Sequence, residues 1–457
     1  MKDRTIPSAV NMKFVYLISM VAAIGGLLFG YDTAVISGAI GNLQTKFGLS
    51  AEAMGGAASA AIWGCVFGVM FAGYISDRYG RKKVLLASAV LFAVSAVGSA
   101  IPSNIGQFVA ARFIGGLGVG MASMLSPLYI SEIAPAHNRG MLVTLYQLAI
   151  VLGINLIYFI NLLIAGMGDE TWNVEMGWRY MLGSEIIPAI LFFILLFLVP
   201  ESPRWLAKQG RDDEALKILE KINGSARGLQ VLDEVKKTLQ EEAGTLKELF
   251  APGLRLAMLV GVVLAIFSQI TGINAIIYYA PEIFKSVGFG AESALLQTVI
   301  IGVTNTVFTF VAIWLMDRAG RRTLLLYGVS GMIICLAGMG ASFYFELSSG
   351  PLLLLFILGF IASFASSLGP IPWVLISEIF PTKNRGTAMS FSIVMLWLGV
   401  VAITQFFPVL LERIGGAFTF WIFMANAIIL VLFVWKFVPE TKQKTLEEIE
   451  QGWKELT

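Results

Sequence analysis

Long apolar runs dominate the chain, and short breaks rich in charged residues, glycine or proline separate them. A helix needs about 20 apolar residues to cross the hydrocarbon core of a bilayer. The pattern predicts twelve such spans, at residues 14–36, 55–75, 84–101, 107–130, 141–165, 179–199, 256–285, 292–316, 323–344, 350–376, 386–411 and 417–438. Because twelve is an even number, both termini are expected on the same side of the membrane.

The composition favours the same class of protein. Of the 457 residues, 57% are hydrophobic and 14% are charged, about half the charged share of a soluble globular domain. A cytosolic globule is excluded, because this chain has too few charged residues to cover its surface. A disordered chain is also excluded, because this chain has far more apolar residues than disordered segments contain. We therefore expect an all-α integral membrane protein whose main partner is the lipid bilayer, without a removable signal peptide.

The positive charges are unevenly distributed between the two predicted faces. The face that carries the termini and the even-numbered loops holds 27 of the 32 lysines and arginines. The excess of positive charge marks the cytoplasmic side, so we expect a protein of the cell (inner or plasma) membrane with cytoplasmic termini. The net charge is only +2, which does not point to nucleic acid as a partner.

One hydrophilic stretch divides the spans into two groups of six. Residues 201–255 place apolar side chains at helical spacing against charged ones, which predicts short amphipathic helices below the bundle. The expected organisation is a six-helix bundle at 1–200, this linker, a second bundle at 256–438 and a cytoplasmic tail at 439–457.

Three short motifs occur twice in the same order. Residues 77–82, Asp-Arg-Tyr-Gly-Arg-Lys, return 240 positions later as Asp-Arg-Ala-Gly-Arg-Arg. Ser-Glu-Ile-x-Pro with a following Arg-Gly returns after 246 positions, and a Pro-Glu motif after 239. Two parallel six-helix halves are typical of alternating-access transporters, which bind their substrate between the halves.

The charged residues of these motifs are expected at the cytoplasmic ends of the spans. We predict that they form a charge latch that holds while the protein opens outward and breaks when the halves rock inward; the alternative is anchoring by the positive-inside rule alone. The predicted gating residues are Asp77, Arg78, Arg81, Glu132, Arg139, Asp317, Arg318, Arg321, Glu378 and Arg385.

Three ionisable residues lie inside predicted spans, where charge is costly and usually functional. Asp32 is near the outer end of span 1, and Arg112 and Glu185 are five or six residues below the same face, so all three are expected some ~6–9 Å deep at ~1.5 Å per residue. Arg112 would stabilise ionised Asp32, and protonation would release the arginine and shift the conformational equilibrium. A static salt bridge is the alternative. The only histidine, His137, lies in a cytoplasmic loop.

Uncharged polar and aromatic residues also recur deep in the spans. Amides that hydrogen-bond hydroxyls and aromatic rings that stack on a sugar face are typical of a site for a neutral polyol. Each amide could instead join helices, and each tryptophan could be packing. The candidates are Gln147, Gln269, Asn274, Asn305, Trp373 and Trp397, with helix interruptions predicted near Gly272 and at 369–372.

Several of these motifs together resemble the sugar porter family of the major facilitator superfamily. They are Gly-Leu-Leu-Phe-Gly-Tyr-Asp at 26–32, the paired Asp-Arg-x-Gly-Arg loops, Pro-Glu-Ser-Pro-Arg-Trp at 200–205, Gln-Ile-Thr-Gly-Ile-Asn at 269–274, Gly-Pro-Ile-Pro-Trp at 369–373 and Pro-Glu-Thr-Lys at 439–442. The similarity runs from about residue 14 to 450 and is greatest to bacterial D-xylose and L-arabinose–proton symporters. It implies a major facilitator fold of twelve helices in two pseudo-symmetric halves.

The resemblance also implies residue roles. The six amide and tryptophan candidates match sugar-contacting positions, Tyr278 matches an outer gate, and an acid at the Asp32 position is typical of symporters rather than passive facilitators. Glu185 matches an acidic position in span 6. Three residues depart from the xylose pattern, which often has amides where this chain has Ser268, Leu396 and Ile154.

Other functional classes lack their motifs. No Gly-Lys dipeptide is present for a Walker A loop, and one histidine cannot form a His-Glu-x-x-His site. We predict a monomeric secondary transporter, not an enzyme, with no cofactor and no metal. It would import a monosaccharide with protons, D-xylose first, then arabinose, glucose or inositol. A sugar uniporter and a non-transporting sugar sensor are the alternatives.

Overall fold

The computed structural model describes residues 10–135, 138–239, 254–346, 350–380 and 385–442, and within them every regular element is helical. The first six spans are built from α1 Met12–Phe47, α2 Ala51–Tyr79, α3 Arg81–Ala100, α4 Ile105–Ile133, α5 Arg139–Ala165, α6 Glu170–Trp172, a π-helical turn Asn173–Gly177, α7 Trp178–Gly183 and α8 Ile186–Leu196. Three linker helices follow, α9 Pro203–Lys208, α10 Asp212–Asn223 and α11 Ser225–Leu239. The remaining spans comprise α12 Arg255–Ile270, α13 Ile273–Ser286, α14 Ala291–Ala319, α15 Arg321–Tyr344, α16 Gly350–Ala365, α17 Ile371–Glu378 and α18 Arg385–Phe437.

The helices account for twelve membrane spans, as the sequence predicts. Ten helical stretches of the described residues are long and apolar enough to cross a bilayer, and Pro351–Ala365 is a shorter apolar helix. The stretch at Thr387–Phe437 contains Gly415 with φ 78° and ψ 167°, which breaks it into two spans. The predicted all-α membrane fold of twelve helices is confirmed.

Helix α1 is much longer than the predicted span at 14–36. It continues through the buried residues Ile40 and Leu43 to Phe47 and ends where Gly48 adopts the left-handed conformation, with φ 60° and ψ 45°. Asp32 is therefore near the middle of a 36-residue helix. The predicted end of this helix at residue 36 is therefore wrong, whereas the predicted depth of Asp32 in the membrane stays a prediction.

Among the described residues, the helix is interrupted in three spans. The seventh breaks at Thr271–Gly272 and the tenth between Ala365 and Ile371, which are the two places where the sequence predicts interruptions. The sixth span also has a milder break, which is not predicted: α7 ends at Gly183 and α8 begins at Ile186, although Ser184 and Glu185 keep helical φ and ψ. A break frees backbone groups from the helix, so it places polar chemistry inside an apolar bundle.

The two halves contact each other on the side opposite the termini. Arg413 of α18 forms an ion pair with Glu52 of α2, with Nη2 and Oε1 2.9 Å apart. The Tyr158 hydroxyl of α5 donates to the Ile277 carbonyl of α13 at 2.7 Å. These contacts join the first six spans to the last six at that end of the bundle.

The linker helices pack on an apolar cluster of their own that includes Trp205, Leu219 and Leu232. They are tied to the bundle by the Trp205 indole N–H, which donates to the Asp77 carbonyl at 2.8 Å. The predicted tail at 439–457 is described only to residue 442, and 240–253 of the linker lies outside the described residues. The predicted domain boundaries therefore stay predictions.

Candidate functional site

A buried ion pair joins the middle of α1 to α4. Arg112 donates from Nη1 to Asp32 Oδ1 at 2.5 Å and from Nη2 to the Asp32 backbone carbonyl at 2.9 Å. Each residue is 1% exposed. A fully desolvated pair like this is held together strongly as long as both members are charged.

Glu185 adds a second carboxyl to this pair. It lies at the break between α7 and α8, is 1% exposed, and is close enough to interact electrostatically with both Asp32 and Arg112. Its Oε1 has no hydrogen-bond partner among the described residues. The structure thus brings together the three ionisable residues that the sequence singles out, in a cluster of two acids and one base.

The neighbours of the two acids are also joined. The hydroxyls of Tyr31 and Ser184, which precede Asp32 and Glu185 in the chain, form a hydrogen bond of 2.7 Å. Sequence reasoning missed this contact, because a tyrosine and a serine 153 positions apart carry no pattern that pairs them. It fixes α1 against the interrupted sixth span beside the acids.

The break in the seventh span brings two predicted sugar-binding amides into contact. The Asn274 side-chain amide donates to Gln269 Oε1 at 2.7 Å, and Gln269 Nε2 donates to the Ser268 hydroxyl at 2.9 Å. Gly272 makes this possible, because its φ of +98° ends α12 and restarts the chain as α13. The amides therefore form a short hydrogen-bonded chain at an interrupted helix.

The other predicted sugar-binding residues belong to several spans. Asn305 and Trp397 are buried, whereas Gln147 and Trp373 are partly exposed. The Trp397 ring of the second half packs against Phe29 of the first, with centroids 5.3 Å apart. The Trp397 indole Nε1 has no partner among the described residues. An indole donor without a partner at the contact between the halves is available to a ligand hydroxyl.

Tyr278 brings the interrupted seventh span close to the acid cluster. It belongs to α13, is 1% exposed, and interacts electrostatically with Asp32 and Arg112 of the first half. The residue that the resemblance assigns to a gate is thus next to the candidate proton site. A change of charge in the acid cluster of the first half can therefore act on a residue of the second half.

A cleft of about 650 Å³ between α2 and α4 is separate from these residues. Its lining is mostly apolar, with Trp63, Phe67 and Phe113 among the larger side chains, and it contains none of the predicted sugar-binding residues. A hydroxyl-rich ligand needs more hydrogen-bonding groups than this lining offers. The amide and tryptophan set remains the better candidate site.

The repeated motifs form matching ion pairs within each half. Arg81 of α3 binds Glu132 of α4 at 3.0 Å and Asp77 of α2 at 2.9 Å. In the second half, Arg321 binds Glu378 at 3.2 Å. Both partners of each pair belong to the same half, so rigid rocking of the halves would not separate them, and these pairs do not form the latch between halves that the sequence analysis expects.

The remaining latch candidates make no ion pair between the halves among the described residues. Arg78 and Arg318 make cation–π contacts with Tyr79 and Trp314. The side chains of Arg139, Asp317 and Arg385 lie outside the described residues. Contacts between halves through those three side chains stay predictions.

Two further acids cap helices. They belong to the repeated Pro-Glu motifs, from which no role is predicted for them. Glu201 Oε1 accepts hydrogen bonds from the backbone N–H groups of Arg81 and Lys82 at 2.9 and 3.1 Å. Glu440 accepts from the corresponding groups of Arg321 and Arg322, also at 2.9 and 3.1 Å. The recurrence of Pro-Glu at both places was the signal that could have identified them.

Comparison with known proteins identifies the family. A family profile described as "Sugar (and other) transporter" matches residues 18–453. The arabinose-proton symporter of Bacillus subtilis (strain 168) is 48% identical, over 97% of this chain and 96% of that protein. The D-xylose-proton symporter of Escherichia coli (strain K12) is 43% identical, over 98% and 97%.

Comparison with solved structures also identifies sugar transporters as similar proteins. The inward open conformation of the xylose transporter XylE from E. coli is similar with a TM-score of 0.86 and 43% identity, over 96% of this chain and 100% of that one. The proton:xylose symporter XylE bound to 6-bromo-6-deoxy-D-glucose is similar with a TM-score of 0.82 and 43% identity, over 97% and 100%. With twelve helices in two halves and a profile match over nearly its whole length, this chain belongs to the sugar transporter family of the major facilitator superfamily and is a membrane-embedded transporter, not an enzyme.

Proposed function

We propose that this chain is a proton-coupled symporter that imports a pentose by alternating access. The observation that carries the proposal is the buried cluster of Asp32, Arg112 and Glu185 next to a gate residue and an uncharged set of amides and tryptophans. The symporter names of the relatives at 43–48% identity support it.

The charge of the cluster gives the coupling mechanism. With both acids ionised, Asp32, Glu185 and Arg112 carry one excess negative charge in a site shielded from water, which is costly. One proton on either acid removes the excess. If Asp32 takes that proton, its hold on Arg112 weakens, and the equilibrium between the two orientations of the halves shifts.

Sugar binding enters the cycle through the seventh span. Tyr278 is on the same helix as Asn274 and interacts electrostatically with Asp32 and Arg112. A sugar that binds Gln269 and Asn274 would move α13, and Tyr278 with it, relative to the acid cluster. Proton and sugar then favour the same orientation, which is the requirement for symport.

The substrate class follows from a site without charge. Amides and indoles suit the hydroxyls and the ring of a neutral sugar. Of the three departures from the xylose pattern, Ser268 donates to the Ala265 carbonyl, and Leu396 and Ile154 are buried apolar side chains. D-xylose remains the first candidate and L-arabinose the second. A competition assay across pentoses, hexoses and inositols distinguishes them.

Transport of labelled pentose into proteoliposomes tests the proposal. With the external pH below the internal pH, we expect accumulation of the sugar and alkalinisation of the medium on sugar addition. A uniporter would equilibrate the sugar without a pH change, and a sensor would bind it without uptake. Either result would replace the proposal by that alternative.

The proposal includes an orientation and an oligomeric state. We propose a plasma-membrane monomer, and we propose that its termini are cytoplasmic on the basis of the distribution of lysine and arginine. Single cysteines introduced at Lys46, near the end of α1, and at Lys208, at the end of α9, test the orientation when they are labelled from outside the cell. We expect labelling only at position 46.

A further inference from the structure

The break in the seventh span is held from the last span of the bundle. In a continuous helix, the Ile270 carbonyl would accept from the backbone N–H of residue 274. Here Gly272, at φ +98°, separates α12 from α13, and the Asn426 side-chain amide of α18 donates to the Ile270 carbonyl at 3.1 Å. Asn426 thus occupies an acceptor that the break exposes.

Phe423 supports the same break one turn earlier on α18. The residues are three positions apart, so they share a face of the helix. Phe423 is 1% exposed, and its ring lies against Gly272 so closely that a side chain added there would overlap it. The ring is in turn packed against Phe407 and Phe420. Asn426 and Phe423 together form what we call the break clamp.

The break clamp acts directly beside the predicted sugar-binding amides. The clamped carbonyl of Ile270 follows Gln269 in the chain, and Asn274 lies in the first turn of α13. The two amides are joined by a hydrogen bond of 2.7 Å across the break. The angle between α12 and α13 therefore sets whether both amides can reach one ligand.

We propose that Asn426 is a positioning residue of the sugar site: through the Ile270 carbonyl it fixes the angle of the seventh-span break, so that Gln269 and Asn274 bind the same sugar molecule. This inference rests on the proposed sugar site but assigns a role to a residue of another span that does not touch the ligand. Loss of the amide leaves the sugar-binding groups present and misaligned.

Equilibrium sugar binding by Asn426→Leu tests the role, with Thr419→Val as the matched control. Thr419 is seven positions earlier on the same face of α18, and its hydroxyl also donates to a backbone carbonyl, that of Gly415 at 2.8 Å. We expect Asn426→Leu to bind pentose about three- to tenfold more weakly, the loss that one hydrogen bond typically causes. Its discrimination among D-xylose, L-arabinose and D-glucose should also narrow. Thr419→Val should retain both affinity and discrimination.

Further variants separate positioning from general damage. Asn426→Gln keeps an amide donor and should recover part of the affinity, whereas Asn426→Ser, which is too short to reach, should not. If Asn426→Leu is not obtained folded, Asn426→Ser carries the same comparison. Unchanged affinity and unchanged sugar ranking in both Asn426→Leu and Asn426→Ser would overturn the proposal.

Amide hydrogen exchange measures the effect of the break clamp on the seventh span without any bound sugar. If the wild-type protein binds no monosaccharide, the proposed function fails, but faster amide exchange at residues 271–276 in Asn426→Leu than in Thr419→Val would still support the clamp. Equal exchange in the two variants would refute it.

Discussion

The carboxylate of Glu201 caps the helix that begins at Arg81, 120 positions earlier in the chain. It accepts the backbone N–H groups of Arg81 and Lys82 while the Arg81 side chain binds Glu132. Glu440 caps α15 in the same way. One acid per half thus ties the end of the sixth span to the start of the third, which explains why Pro-Glu recurs with the Asp-Arg-x-Gly-Arg loop.

Replacing either cap should destabilise the protein. Glu201→Ala leaves two N–H groups of α3 without their acceptor and should lower the free energy of unfolding by about 2 kcal/mol. Glu440→Ala should have a similar effect, because its distances match. Thermal unfolding in detergent measures both. Glu214→Ala, at an exposed side chain, is the control and should leave the unfolding temperature nearly unchanged; equal losses in all three variants would argue against a capping role.

Asp32→Asn should uncouple sugar from protons. The amide is nearly isosteric with the acid but neither ionises nor balances Arg112, so the energetic link between protonation and conformation is lost. We expect no accumulation of pentose against a gradient, with sugar exchange still measurable in proteoliposomes. Asp169→Asn, at an exposed helix cap, provides the control. Undiminished concentrative uptake by Asp32→Asn would refute the coupling role.

Trp373→Ala and Gln147→Ala should weaken sugar binding. The first removes an aromatic face and the second a hydrogen-bonding amide, and each should cost at least about 1 kcal/mol, or fivefold in affinity. Gln107→Ala removes a glutamine near the start of α4, remote from the site, and should bind as the wild type does. Unchanged affinity in both site variants would remove the pocket assignment.

Alanine substitutions at two glycines with positive φ distinguish the cost of backbone strain from the cost of side-chain overlap. Gly48→Ala, in the left-handed conformation at φ 60° with open space around it, should cost about 1 kcal/mol for the backbone conformation alone. Gly272→Ala carries a similar backbone strain, and its side chain would also overlap Phe423. Its free energy of unfolding should therefore fall by a further 1 kcal/mol or more, which is about the usual cost of overpacking. Comparing their unfolding temperatures measures the difference, and equal losses would show that the Phe423 ring can yield.

The sequence by itself determined the number of spans, their approximate ends and the pairing of repeated motifs. It could do so because the bilayer imposes a length of about 20 apolar residues on every crossing, and that constraint acts on each segment separately. The same reasoning identified Asp32, Arg112 and Glu185, since charge inside an apolar run stands out without knowledge of neighbours. It failed on the outer end of α1, because the glycines and polar residues at 37–47 end the apolar run but not the helix, which stops only at the left-handed Gly48.

Only the tertiary structure decided which residues meet. It paired Arg81 and Arg321 with acids of their own halves, brought Tyr31 to Ser184, and placed Asn426 on the Ile270 carbonyl. These contacts join segments 50 to 160 positions apart, and their geometry depends on how helices cross and where they break. A single sequence records the residue at each end of such a contact but not the packing that brings the ends together.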